Sequence, residues 1–391
     1  MTKNLTRRPV ALAAAGMALV LSLAACQSGG GGGGGSSKSS SGASAASSED
    51  GLAEAKKIVE QYRQPPKWQG PDEPVSLDGL KGKKVVYISV NDGIPVLAYW
   101  SSRLGKLLKE EADIDFKVVD AKGSVDTANQ GFQQAIATKA DAVVIQALPA
   151  TLFAAQIAQA KAAGIKVITA NTGIPGDVSG GQDAEVSFDY AEAGRIIAAW
   201  MVADSDGKGK GLVVSSDDVP ASPPQAKATV AEVKRLCPDC DVQVKDVQIP
   251  QWESSIPTLF QTTVNSEPDR TYLLPIYDGQ ALPGLGALRT IGNKDVKVGS
   301  FNATPGIVEQ LTDPSSALKL DVGGQNEWWA YAAADQIFRV LSGAKPVENY
   351  HVGLRIFDES NAADLIKGTD EFAWYESEDY KTKFPELWGT N

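Results

Sequence analysis

The chain has 391 residues, with 37 basic against 48 acidic side chains, a formal charge of −11 and a single histidine, His351. Nucleic-acid binding needs a basic footprint, and a multi-imidazole metal site or a Ser-His-Asp relay needs more than one isolated histidine can offer. Those classes are set aside: the sequence offers no catalytic set, no metal site and no cofactor motif, and nucleic acid is not an expected partner.

At the start, Lys3, Arg7 and Arg8 precede an uncharged apolar run from Val10 to Leu23 that ends in Ala24, Ala25 and Cys26. The run is too short to stay as a bilayer span, and small residues ahead of a cysteine suit a signal peptidase. Residues 1–26 are therefore expected to be an export signal. Leu23 to Cys26 resemble the bacterial lipobox, which implies lipidation at Cys26 and a place on the extracytoplasmic face of the cell membrane, held by the lipid alone. A glycine run from Gly29 to Gly35 and a Ser/Ala/Gly tract come next, so residues 27–48 are expected to be a flexible tether.

Residues 49–82 form an N-terminal extension. Leu52, Ala55, Ile58, Val59 and Tyr62 share one helical face that is expected to pack on the body, and Pro65, Pro66, Pro71 and Pro74 interrupt the chain beyond that helix. The body then alternates β-branched runs with helical stretches. Strands are expected at 84–90, 116–120, 142–146 and 165–169, with helices at 95–112, 124–139 and 151–163 between them. A second series has strands at 211–215, 241–248, 271–276, 296–301 and 318–322. Its helices lie at 190–203, 222–236, 253–265 and 281–291, and a helix at 327–341 and a strand at 350–357 close it. Continuous apolar strands joined by crossover helices predict an α/β protein of two doubly wound parallel-sheet lobes. A ligand is expected beyond the carboxyl ends of the strands, between the lobes.

The order of segments resembles the type I periplasmic binding proteins, in the ribose-binding-like branch of sugar receptors for ABC importers. The resemblance spans residues 83–357 and is carried by Gly123 to Ala137, Lys139 to Gln146, Ala160 to Asn171, Val298 to Pro305, and Asp335 to Gly343. It implies three hinge strands, placed near Asp189, Gly323–Gly324 and Gly353. Lobe one is then 83–189 plus 324–352, and lobe two is 190–323 plus 353–391 with a C-terminal extension. The glycines suit a hinge that must absorb backbone rotation, although an ordinary strand-end turn also explains Gly323–Gly324.

A sugar or polyol presents vicinal hydroxyls and weakly polar C–H faces, so its receptor needs amide-type groups and aromatic rings. Carried over by position, the resemblance implies ligand contacts from Asn171, Thr172, Phe188, Asp189, Trp252, Tyr277, Asp278, Asn302 and Gln325. Pro95, Val96 and Leu97 form an apolar wall backed by Trp100. Trp252 is assigned stacking, or the anchoring of its helix; Asp278 hydrogen bonding, or a helix cap; Asn302 hydrogen bonding, or a turn. The chain departs from ribose receptors at Thr172 and Ala226, where arginines stand in the family, and at Tyr277, where an asparagine does. A neutral solute is expected, because a carboxylated or phosphorylated one would bury an unpaired charge, and a cationic solute is the alternative that Asp189 and Asp278 leave open. The implied role is a monomeric solute receptor that delivers to an ABC permease. A ligand-sensing subunit for chemotaxis or two-component signalling is the alternative on the same fold.

Cys237 and Cys240 close the helix at 222–236. Outside the cytoplasm the pair is expected to form a local disulfide; a redox pair would sit at a helix N-terminus instead.

Overall fold

The computed structural model describes residues 48–367 and 373–390. The expected export signal, Cys26 and the tether up to residue 47 lie outside the described residues. After a first helix, α1 (Ser48–Arg63), the chain builds β1 (Lys84–Ser89), α2 (Pro95–Ala112), β2 (Asp115–Asp120), α3 (Val125–Ala137), β3 (Ala142–Gln146), α4 (Ala154–Ala162), β4 (Lys166–Ala170) and β5 (Ala184–Val186). These five strands are parallel in the order β2-β1-β3-β4-β5, a doubly wound sheet. β3 is Ala-Val-Val-Ile-Gln and is buried at every position, as a strand covered on both faces must be. Ser124 starts α3 by accepting a hydrogen bond from the Thr127 N–H at 3.3 Å.

The second sheet comes next: α5 (Tyr190–Asp204), β6 (Lys210–Ser215), α6 (Ser222–Leu236), β7 (Asp241–Asp246), α7 (Trp252–Ser266), β8 (Tyr272–Pro275), α8 (Asp278–Ile291), β9 (Lys297–Phe301) and β10 (Leu318–Gly324). After α9 (Asn326–Ser342) comes β11 (Leu354–Asp358), and the order is β11-β10-β9-β8-β6-β7. β11 runs antiparallel to β10, so this lobe carries one reversed edge strand on an otherwise parallel sheet. Three-residue β5 is not foreseen as a strand; it completes the first sheet by pairing with β4.

The chain leaves the first sheet after β5, enters the second with α5, returns after β10 so that α9 packs on α2, β4 and β5, and goes back to pair β11 with β10. Gly323, Gly324 and Gly353 stand at these passages, yet none has a positive φ. Each instead marks a close approach. A Cβ on Gly323 would lie 2.3 Å from the Tyr375 hydroxyl, one on Gly324 2.6 Å from the Phe188 ring, and one on Gly353 2.5 Å from the Pro66 ring. Space, rather than backbone rotation, is what these positions need in this conformation.

The N-terminal helix packs on the body. α1 lies on α5 and α6, burying Ala55 and Val59, and a Cβ on Gly51 would fall 2.0 Å from the Leu236 carbonyl. Downstream, Trp68 stacks on Trp328 of α9 at 5.5 Å, and the Arg339 guanidinium donates to the Glu73 carbonyl at 2.5 Å. The C-terminal tail departs from its expected place in lobe two. After α10 (Ala362–Leu365), Trp374 and Tyr375 pack on Phe357 of β11, but α11 (Tyr380–Trp388) lies on α9, against the first sheet. The cause is its aromatic face: Tyr380 stacks on Trp328, Trp388 stacks on Tyr331, and the Trp388 indole donates to Asp335 at 2.9 Å. The two terminal segments meet where the Val75 N–H donates to the Leu387 carbonyl at 3.0 Å.

Cys237 and Cys240 are joined in a disulfide at the end of α6. The largest buried apolar cluster runs from one sheet into the other through Trp100, Phe188, Tyr190, Phe301 and Trp329. Trp328 and Trp329 are both fully buried, so neither ring of that pair opens on solvent. Among the described residues no helix is long and apolar enough to cross a membrane.

Candidate functional site

The carboxyl ends of the two sets of strands face each other, and the loops beyond β4 and β6 touch. A Cβ on Gly173 would lie 2.8 Å from the Pro220 carbonyl oxygen and 3.1 Å from Cα of Ala221. Asn171 ends β4 with φ +55°, a conformation asparagine tolerates better than most residues, and its N–H donates to the Val186 carbonyl at 2.9 Å. The residue is buried, and both its side-chain oxygen and its side-chain nitrogen lack a hydrogen-bond partner.

From the opposite sheet, Tyr277 lies just past β8, is buried, and has an unpartnered hydroxyl. Burial pushes its phenol well above the usual range, so the ring stays neutral. Gln225, in the first turns of α6, holds the Ile276 carbonyl with Nε2 at 3.4 Å and leaves Oε1 unpartnered. A buried polar atom without a partner costs free energy, and such atoms occur beyond the strand ends of both sheets. Other buried unpartnered atoms exist, among them the indole nitrogens of Trp328 and Trp329, but those belong to ring stacks on α9.

Trp252 opens α7 half-buried. Its indole N–H is shared between the Ser216 hydroxyl at 2.7 Å and the Val247 carbonyl at 2.9 Å, which fixes the ring. The ring centre lies 6.4 Å from that of Tyr277, and Gly279 makes room, since a Cβ there would come within 2.9 Å of it. Phe188 is buried among Trp100, Tyr190 and Phe301 at 5.7, 6.1 and 6.4 Å, so its ring belongs to the core. On the first sheet Leu97 is buried in the core, Val96 is half-buried and Ile94 is 42% exposed. Pro95 supplies the first residue of α2.

Several expected ligand contacts are already engaged by the protein. The Thr172 N–H and hydroxyl point at Glu185 Oε1, at 3.4 and 3.3 Å, and the Gly176 N–H reaches the other oxygen at 3.3 Å. Burial raises the Glu185 carboxyl to about 8. Asp189 caps α5 through the Glu192 N–H at 2.8 Å, and it lines a groove of about 530 Å³ with Tyr62, Glu192 and His351, beside α1. Asp278 neither caps α8 with its side chain nor stands free: it accepts from the Ser300 hydroxyl and the Thr304 N–H, each at 2.6 Å. Gln325 donates to the Ser377 carbonyl at 2.6 Å and keeps only Oε1 unpartnered. Asn302 is half-buried just beyond β9, with its N–H on the Val322 carbonyl at 3.0 Å.

Among the residues beyond the strand ends, Asn171, Gln225 and Tyr277 thus carry unpartnered buried atoms and no charge, and the Tyr277 ring lies near that of Trp252. Gln225 is not among the contacts expected from sequence; a polar residue in the first turn of a proline-opened helix after β6 is the signal that could have found it. Among the described residues no group of three or more His, Cys, Asp or Glu side chains could hold a metal ion.

No curated protein sequence matches the chain. Among solved structures, it is similar to an ABC sugar transporter subunit from Rhodobacter sphaeroides, with TM-score 0.65 and 20% identity, covering 72% of this chain and 100% of the other. A solute-binding protein from Agrobacterium vitis with bound allitol matches with TM-score 0.65 and 20% identity over 74% of this chain and 99% of its own. The periplasmic component of the arabinose ABC transporter from Shewanella matches with TM-score 0.63 and 18% identity over 78% and 98%. At these identities the likeness establishes the type I fold of two facing α/β lobes. The sequence profile of the periplasmic binding protein domain matches residues 85–345, and the chain belongs to that family.

Proposed function

We propose that this protein captures a small uncharged polyhydroxyl solute, a sugar or sugar alcohol, outside the cytoplasm and hands it to the permease of an ABC importer. The observation that carries the reading is the unpartnered, uncharged set of Asn171, Gln225 and Tyr277, with the Trp252 ring near that of Tyr277. Hydroxyls can both donate to and accept from those groups, and a C–H face can lie on the indole. A charged solute would find no counter-ion among them. The relatives with bound allitol, and the Mycobacterium smegmatis solute-binding protein with bound glycerol, hold uncharged polyols, in keeping with this reading. On it, the protein is a binder and not a catalyst.

In the same proposal Cys26 carries the lipid anchor, residues 27–48 form the tether, and lobe one (83–189 plus 324–352) closes on lobe two as a monomer. Transport is favoured over sensing by the neighbours described as ABC transporter components. A thermal-shift screen of the chain from Glu49 onward tests the solute class, because a ligand that binds only the native state raises Tm. Neutral sugars or polyols should raise it; a shift given only by sugar phosphates or sugar acids overturns the reading. Loss of cellular uptake of the same solute on gene deletion tests the transport role, and unchanged uptake contradicts it.

A further inference from the structure

Asp321 is an aspartate in the middle of the apolar strand β10, fully buried, and neither the fold nor the solute site calls for a charge there. Its Oδ1 accepts from the Ala303 N–H at 3.0 Å, while Oδ2 has no N–H or O–H donor; the neighbouring amide, the Thr304 N–H, is held by the carboxyl of Asp278. Asp278 is buried as well, and its two oxygens take the Ser300 hydroxyl and the Thr304 N–H. Two buried carboxylates that hold adjacent amides repel strongly when both are ionised; one proton between them turns the repulsion into a hydrogen bond.

The pair grips a particular stretch of backbone. Asn302 and Ala303 are consecutive non-glycine residues at φ +130° and +52°, a strained arrangement that persists only where neighbours hold it. The Ala303 and Thr304 N–H groups are the two that the pair holds. Asp278 also directly follows Tyr277, so one buried pair joins the ends of β8 and β9, where Tyr277 and Asn302 emerge, to the middle of β10.

We propose that Asp278 and Asp321 share a single proton and act as positioning residues, fixing the 302–304 turn and the Tyr277 backbone beneath the solute site. In the shared state Asp321 donates to Asp278, which remains the acceptor for Ser300 and Thr304. The other groups around the pair are the Tyr375 phenol, which donates to the Gly324 carbonyl, and Glu309, whose charge adds to the repulsion. Arg355 lies beyond Tyr375 and is committed to Glu376 and to the Trp374 carbonyl. Burial holds Asp321 well above the ordinary carboxyl range and raises Asp278 to about 6, in accord with a pair that keeps one proton at neutral pH.

Infrared spectroscopy of the full chain and of Asp321→Asn tests the proposal without any solute, so a failed solute screen leaves it standing. An asparagine can give the same hydrogen bond and accept the same N–H, but it has no proton to lose. At about pH 7 the wild-type spectrum should contain one protonated-carboxyl stretch absent from the variant, while the Glu185 contribution is common to both and cancels. Amide exchange supplies the positional readout. Protection of Ala303 and Thr304 should fall by about ten- to a hundred-fold in the wild type as the shared proton is removed at alkaline pH, and should persist in Asp321→Asn. Identical carboxyl spectra, or the same alkaline loss of protection in both proteins, overturn the proposal. If Asp321→Asn does not fold, the Glu185→Gln variant decides: with that carboxyl removed, a protonated-carboxyl stretch must remain at about pH 7, and its absence refutes the pair.

Discussion

Two groups of buried polar side chains, the network around Asp335 and the residues at the strand ends, are paired in opposite ways. In the first, Asp335 is fully buried and accepts from Arg339 at 2.6 Å, Tyr350 at 2.8 Å and Trp388 at 2.9 Å. In the second, the Asn171 amide, the Gln225 carbonyl and the Tyr277 hydroxyl are buried with nothing to bond. A satisfied network makes structure rigid; an unsatisfied one is a standing cost unless a ligand completes it. On the proposed function, the contrast separates a network that holds its shape from a set that a solute would complete.

The contrast is challenged hardest by Asp335→Ala, which leaves Arg339 charged and buried without its partner. Loss of about 3–5 kcal/mol of unfolding free energy in denaturant titration is expected; a loss under about 1 kcal/mol would mean that the network is ornamental.

Next in size is a pH effect from Glu185, whose carboxyl rises from an ordinary 4.5 to about 8 through burial. A raised folded-state value stabilises fully below the unfolded value, and the benefit is lost as pH climbs through the folded one. Unfolding free energy should therefore fall by on the order of a few kcal/mol between about pH 5 and about pH 8. Glu185→Gln should flatten that decline, and a variant with the wild-type slope would remove Glu185 as its source.

On the unsatisfied side, Asn171→Ala and Gln225→Ala should each weaken binding of the best solute in the screen about ten- to a hundred-fold by calorimetry. The solute-free melting temperature should fall only slightly, because each orphaned polar atom removed offsets what is lost with it, the asparagine's tolerance of φ +55° at 171 and the bond to the Ile276 carbonyl at 225. A fall in stability without a change in affinity would reassign these residues to the scaffold.

The smallest effect is expected at Glu54, which makes two hydrogen bonds to Arg235 at 2.9 and 2.8 Å on the half-exposed flank of α1. Glu54→Ala should change unfolding free energy by less than about 1 kcal/mol. A larger loss would show that charge, and not Ala55 and Val59, docks the extension.

Much of the architecture can be read from residues in a row, because strands covered on both faces and helices with one apolar face leave local periodic marks. The runs at β1, β3, β4 and β9 lie close to their expected positions, as does Asn171 at the end of β4. The parts that cannot be read depend on partners far away in the chain. Nothing near Thr172 shows that Glu185 will take its hydroxyl, and nothing near Gln325 shows that the Ser377 carbonyl will take its amide. Asp278 admits both a helix-cap and a ligand reading, and its actual partners, Ser300 and Thr304, come from the next strand and the loop beyond it. The aromatic tail is visible as a string of rings, but α11 finds its surface on α9 through stacking that only the folded first lobe presents.

The decisive measurement is a crystal structure of the protein with the solute that gives the largest thermal shift. Hydroxyl oxygens should lie within hydrogen-bond reach of Asn171 and Tyr277, with a carbon face of the solute against the Trp252 ring. A solute lodged instead in the groove beside Asp189 and Tyr62, with Asn171, Gln225 and Tyr277 still unpartnered, would contradict the proposed site.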